Sequence, residues 1–141
     1  MAAKHKMTMD PENYRNLLKK LNLESVRLIK SDSVLNLDNK SDGSVNIKDK
    51  VKIKETPEHI VLIDHTYILT VKAENTDSMF LKLSATFQLL FSIDFDYNEE
   101  FFDIYKNISL PLTTYPFFRE FVFNTTARMN IQPLTLPLII R

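Results

Sequence analysis

Met79-Phe80-Leu81-Lys82-Leu83-Ser84-Ala85-Thr86-Phe87-Gln88-Leu89-Leu90-Phe91-Ser92-Ile93 alternates in hydropathy along its whole length. Met79, Leu81, Leu83, Ala85, Phe87, Leu89, Phe91 and Ile93 take the odd positions, against Lys82, Ser84, Thr86, Gln88 and Ser92. Successive side chains of a strand point to opposite faces, so this pattern predicts one long strand with a single buried face. Towards the N-terminus, the turn cluster Glu74-Asn75-Thr76-Asp77-Ser78 separates it from a second β-rich run, His59 to Ala73, carrying Ile60, Val61, Leu62, Ile63, Tyr67, Ile68, Leu69 and Val71. Thr56-Pro57 closes a third run, in which Val45, Ile47, Val51 and Ile53 alternate with Asn46, Lys48, Lys50, Lys52 and Lys54. Beyond the turn cluster Asn39 to Ser44, Val26 and Leu28 followed by Leu35 and Leu37 predict a long strand bulged around Lys30 to Ser33. Consecutive strands joined by short turns predict a four-stranded antiparallel meander.

Helical signals flank these strands. Asp10-Pro11 starts a helix, because Asp can cap free N–H groups and Pro is tolerated in the first turn. Tyr14, Leu17, Leu18 and Leu21 follow at the spacing of one apolar face, predicting about three turns. After the strand ending at Ile93, the acidic stretch Asp94 to Asp103 leads into a helical fragment with Phe101, Phe102, Ile104 and Tyr105, which Leu110-Pro111-Leu112 breaks. A longer helix is predicted from Thr113 to Asn130, with Tyr115, Phe118, Phe121, Val122 and Thr125 on one face. Residues 131–141 hold two prolines and no helical period, which predicts an extended tail. The expectation is a single α+β domain over residues 1–141. Its antiparallel sheet carries the long C-terminal helix on one face, and residues 1–22 form a short N-terminal helical extension.

The 141 residues include 18 basic and 18 acidic side chains, no cysteine and a single glycine, Gly43. A balanced charge gives no net field for nucleic acid, and the absence of cysteine excludes disulfides and thiolate metal sites. The N-terminal residues lack the apolar stretch of a signal peptide, and no run reaches the length of a membrane span. A cytoplasmic protein with no membrane insertion and no nucleic-acid partner is expected, and the sequons at Asn39, Asn107 and Asn124 are read as chance matches. The lysine-lined face of the third run reads as a solvated strand face, since Asp49 and Glu55 interrupt it and no aromatic residue interleaves for base stacking.

The search for catalytic groups finds none. His59 and His65 lie roughly 20 Å apart if their strand is continuous, too far to share an ion. Asp94-x-Asp96-x-Asn98 copies the start of a calcium loop, but Glu99 replaces the turn glycine and Tyr105 the bidentate glutamate. Asp64 and His65 are adjacent on a strand and face opposite ways, so they build no relay with a serine. With one glycine the backbone cannot cradle phosphates in several places, and no cofactor or metal is expected. The surplus is aromatic: Phe91, Phe95, Phe101, Phe102, Phe117, Phe118, Phe121 and Phe123 crowd together. One helix on one sheet buries one stripe, so the remaining aromatics call for a second partner, unless the C-terminal segment covers them.

Tyr115-Pro116-Phe117-Phe118-Arg119-Glu120-Phe121, followed by Leu134-Thr135-Leu136-Pro137, resembles the SecB protein-export chaperones. Phe91-Ser92-Ile93 matches the end of that family's third strand, and the order of elements agrees over Ser25 to Ile139. The resemblance implies a dimer of dimers whose long helices pack between sheets, with apolar grooves that hold unfolded chains. Phe87, Leu89, Phe91, Phe95 and Phe101 are then candidates for contacting unfolded polypeptide clients. Tyr115, Phe118, Phe121 and Val122 are candidates for the subunit interface. Lys82 and Ser84 stand near positions where the family's motor-docking surface is acidic, and the chain stops at Arg141 without the family's final helix and charged tail. Both departures count against docking on the export ATPase. An ATP-independent holdase for export precursors or a particular client such as an antitoxin is the leading expectation. An oligomeric assembly protein without client binding is the alternative.

Overall fold

The computed structural model describes residues 9–39, 43–73 and 77–137. Its elements are α1 (Pro11–Leu18), β1 (Leu21–Leu35), β2 (Val45–Thr56), β3 (Ile60–Lys72), β4 (Met79–Ile93), α2 (Glu99–Ile108) and α3 (Leu110–Arg128). His5 and parts of both turn clusters lie outside the described residues. The four strands form one antiparallel sheet in the order β1-β4-β3-β2.

The meander therefore holds for β2, β3 and β4, whereas β1 pairs with β4 rather than with β2. The strongly alternating β3 and β4 take the centre, and the more polar β1 and β2 take the edges, where charged side chains protect an open ladder. Reaching the far edge requires the β1–β2 connection to cross the ends of β4 and β3. Asn36 N–H donates to the Phe80 carbonyl at 2.9 Å, and the Asn39 amide to the Met79 carbonyl at 2.6 Å. Gly43 then passes against the end of β3, where a Cβ would lie 1.5 Å from the Lys72 carbonyl oxygen. The lone glycine is thus used for close passage of two backbones.

Leu21, assigned to the first helix by spacing, instead opens β1 opposite Ile93, and α1 ends after eight residues. The Asp94 N–H donates to the Lys20 carbonyl at 3.0 Å, extending the pairing past the strand end. The irregularities of β1 fall between Leu23 and Ser25 and between Leu28 and Lys30, nearer its start than expected.

Odd-numbered residues of β3 and β4 face the helices, and two apolar clusters share that inner face. One gathers Val61, Ile63, Leu89 and Phe91 under α2, with Tyr14 of α1 donating or accepting a 2.8 Å hydrogen bond at Ser109 Oγ. The other gathers Leu69, Leu83 and Phe87 under the Tyr115-Phe118-Val122 stripe of α3. Each fully buried Phe or Leu contributes roughly 1.5–3 kcal/mol. Asn98 caps α2 by accepting from the Phe101 N–H at 3.0 Å, with Glu99 and Glu100 in the first turn, so the calcium-like stretch serves as a helix start. The helix break falls at Ser109, and Pro111 sits in the first turn of α3, where its missing N–H has no partner to lose.

Residues 131–137 run extended along α3, and the rest of the expected tail lies outside the described residues. The Tyr115 hydroxyl donates to the Pro137 carbonyl at 2.8 Å, Arg119 Nε to the Leu136 carbonyl at 2.7 Å, and Leu134 N–H to Thr126 Oγ1 at 2.9 Å. Tyr115 and Arg119 stand one turn apart, so both reach the same strand of tail while Leu136 fills the core beneath.

Gly43→Ala should lower stability by about 1–3 kcal/mol, because both clashing groups are backbone and must move apart. A urea titration should show the earlier midpoint; an unchanged midpoint would mean that the crossing has room for a methyl group.

Candidate functional site

Where the two core clusters meet, β3 presents His65, fully buried on the inner face. Its Nε2–H donates to Asp49 Oδ2 at 2.7 Å, and its Nδ1 lies 2.7 Å from Thr114 Oγ1. The Thr114 oxygen is also 2.9 Å from the Tyr67 hydroxyl and 3.1 Å from the Leu110 carbonyl. The imidazole stacks on Tyr67 at 4.2 Å between centroids, and Tyr67 stacks on Phe118 at 4.8 Å. Asp64 does face the opposite way, accepting from Gln88 Nε2 at 3.0 Å. The carboxylate that reaches His65 belongs to Asp49, which sits beside it through the β2–β3 register.

Carboxylate, imidazole and hydroxyl in a row have the connectivity of a nucleophilic relay. Here His65 and Thr114 are both 0% exposed, so no substrate carbon reaches the hydroxyl. The arrangement instead ties the start of α3 to β2 and β3 through buried polar groups that satisfy one another. The hydrogen bond from His65 holds the Asp49 carboxyl below its ordinary range, against the opposing effect of burial. Burial pushes the Tyr67 hydroxyl up to about 12, with the Thr114 hydrogen bond acting in the other direction.

The helices leave the β1 side of the inner face open. Leu23 and Leu28 of β1 are 43% and 49% exposed, and Phe117 and Phe123 on the outward side of α3 are each 44% exposed. Leu28 is the cross-strand partner of Phe87, whose ring lies 6.0 Å from that of Phe117. Leu28, Phe87 and Phe117 thus make a continuous apolar surface between β1 and α3, floored by a buried ring and walled by exposed side chains. The other edge of β1 has no pairing strand among the described residues.

Of the residues expected to contact clients, Phe87, Leu89, Phe91 and Phe101 are buried in the chain's own core, and Phe95 is half-buried against Phe101 and Phe102. Only Phe87 borders the open surface described above. Of the residues expected at a subunit interface, Tyr115, Phe118 and Val122 are packed on the chain's own sheet, and half-buried Phe121 stacks on Phe118 at 6.2 Å. The apolar stripe of α3 is spent inward, leaving Phe117 and Phe123 on its two flanks, with Phe117 on the side of Phe87. Leu23, Leu28, Phe117 and Phe123 are what the sequence reading did not select. The off-stripe placement of the two phenylalanines was the available signal, whereas the exposure of Leu28 follows from β1 being an edge. Arg119 serves the tail carbonyl of Leu136, and Glu120 is exposed.

Among the described residues no three metal-ligating side chains gather, and no helix is long and apolar enough to cross a membrane. No protein-family model and no curated protein matches the sequence. Solved structures do match the fold, which is SecB-like and α+β. The Mycobacterium tuberculosis Rv1957 SecB-like chaperone, solved in complex with a ChAD peptide from the Rv1956 HigA1 antitoxin, superposes with a TM-score of 0.79 at 18% identity, covering 92% of this chain and 98% of that one. A Streptococcus agalactiae protein of unknown function covers 83% of this chain at 10% identity and a TM-score of 0.39.

The raised Tyr67 value fixes a sign for alkaline stability. The folded chain keeps its proton to about 12, while an unfolded tyrosine loses it near 10, so this stabilisation is complete below pH 10 and is lost as pH rises towards 12. Melting temperature measured across this window should fall, and less steeply in Tyr67→Phe. That variant should also be about 1 kcal/mol less stable at neutral pH, having lost the bond to Thr114. Identical slopes in the two proteins would show that Tyr67 does not titrate differently on folding.

Proposed function

We propose that this protein is a chaperone that holds unfolded polypeptide segments without nucleotide. The observation that carries the reading is the apolar surface of Leu28, Phe87 and Phe117 beside the unpaired edge of β1. An extended client can lay alternate side chains onto that surface while its backbone meets an open ladder, which requires apolar matching but no defined sequence. No bond-making group is needed, in keeping with a His65–Thr114 pair shut away from substrate. The likeness in fold to a SecB-like chaperone bound to an antitoxin peptide supports the same reading and makes an antitoxin a reasonable client class, with export precursors the other.

In this reading Phe87 and Phe95 take part in client contact directly, and Leu89, Phe91 and Phe101 support them from the core. The protein works in the cytoplasm as a dimer or tetramer. Copies associate through the exposed side of α3, around Phe123, with Phe121 beside it and the Tyr115-Phe118-Val122 stripe holding the helix in place. The assembly alternative uses the same surface to bind copies of the chain alone, and the long unpaired edge of β1 favours it.

Added in slight excess and without nucleotide, the protein should suppress aggregation of a chemically unfolded protein, with light scattering as the readout. Leu28→Glu and Phe117→Glu should each reduce suppression severalfold. Both sites are half-exposed, so stability should fall by about 1 kcal/mol, and a melting curve should show that each variant stays folded. Unchanged aggregation at severalfold excess of an intact oligomer would replace the chaperone reading with the assembly one. A monomer by light scattering would remove the oligomer from both.

A further inference from the structure

The outer face of the sheet, which no helix among the described residues covers, carries a charge pattern that the linear sequence hides. Asp49 and Glu55 break the lysine run of β2 only in one dimension. Register places Asp49 opposite Tyr67 and Glu55 opposite Val61, both on the helix side. Lys48, Lys50, Lys52 and Lys54 therefore form an uninterrupted row on the outer face, spaced about 6.6 Å apart by the strand repeat. Across the sheet, Lys50 lines up with Thr66, Thr86 and then Lys30 of β1, so the opposite edge is basic too. Arg27 stands opposite Gln88, and Lys82 opposite Thr70, on the same face.

Three carboxylates share this face: Asp64, opposite Lys52, accepts from Gln88 Nε2 at 3.0 Å, Glu24 accepts from Ser92 Oγ at 2.6 Å, and Asp32 lies opposite Ser84. The seven cations just named outnumber them. Among the described residues none of these cations is ion-paired. The chain as a whole is neutral, so the excess of positive charge here is local. Between the basic rims lies a shallow trough floored by Thr66, Thr86, Ser84 and Ile68, with Lys82 at one end and Asp64 beside Lys52 at the other. Its rims are three strand spacings apart, about 14 Å, which admits one extended chain.

We propose that this outer face is a docking site for an acidic polypeptide segment bound in extended form. Carboxylates at every second residue of such a segment repeat at the spacing of the lysine row, and Ser84 together with one hydroxyl of the Thr66–Thr86 pair, which bond each other at 2.8 Å, can donate to its backbone. No aromatic side chain lines the trough, so a single-stranded nucleic acid finds no stacking platform there. The site is on the opposite side of the sheet from the apolar surface and does not depend on the client reading.

The test is fluorescence anisotropy of a labelled peptide alternating glutamate and serine, at low salt, with an oligothymidylate of matched length and a lysine–serine peptide beside it. The glutamate peptide should bind, and added salt should weaken it. K50E/K52E should weaken binding about tenfold or more, as expected for reversed charges in a complementary pair of surfaces. K19E/K20E, which makes the same change of net charge on exposed lysines beside α1, should leave binding within about twofold. Melting curves of both variants should overlay the parent. No binding of the glutamate peptide, or equal loss in K19E/K20E, overturns the proposal. Tighter oligothymidylate binding that K50E/K52E abolishes also overturns it, by making the face a polynucleotide site.

Discussion

The structure depends on the inner face of β3 and β4, where a file of side chains, apolar but for His65 and the Tyr67 hydroxyl, is withdrawn from water. That requirement sets the sheet order, since the strands with the fewest polar interruptions must lie between the others. It also sets the helices, because a sheet with one dry face needs a cover and the two helices after β4 supply it. His65 is the single polar member of the file on β3, and the structure surrounds it with Asp49, Thr114 and Tyr67 rather than leaving it unsatisfied. A buried polar group of this kind costs free energy unless paired, so it fixes the register of β2 and the seating of α3 together.

Much of this was legible in the residues. Strict alternation from Met79 to Ile93 requires a strand, and Tyr115, Phe118 and Val122 require a helix with one apolar stripe. The position of β1 was not legible. Short turns suggest neighbours, and whether a strand returns beside its predecessor or crosses to the far edge depends on long-range pairing that local pattern does not encode. The sole trace of the crossing is Gly43, and its use becomes apparent once Lys72 is known to pass beside it. Leu21 misled for a related reason: it continues the helical spacing, yet burial opposite Ile93 is worth more than one further turn of a short helix.

The site was legible in kind but not in residues. Counting aromatics shows that more apolar surface exists than one helix can bury, which points to a binding surface. It does not say which rings are left over. Phe101 and Phe118 carry the same side chain as Phe117 and Phe123, and only the direction of each Cβ separates core from surface. For strands the same holds of Asp49 and Glu55: adjacent in sequence to lysines, they belong to the other face, and a one-dimensional count cancels charges that never meet.

One sheet thus offers three chemically distinct boundaries: an apolar opening beside α3, an unpaired backbone edge along β1, and a basic trough outside. The first two adjoin, so an extended chain can use both at once, gaining area from one and hydrogen bonds from the other. The third is separated from them by the thickness of the sheet. A partner there would meet fixed charge rather than adaptable apolar surface, and its affinity would respond to salt while that of an apolar client would not. Because β3 and β4 contribute residues to both faces, docking on the trough cannot reach the opening by direct contact. Among the described residues, the Asp49–His65–Thr114 bridge is the set of hydrogen bonds that joins a β2 side chain to α3, and it lies wholly on the inner face, away from the lysine row.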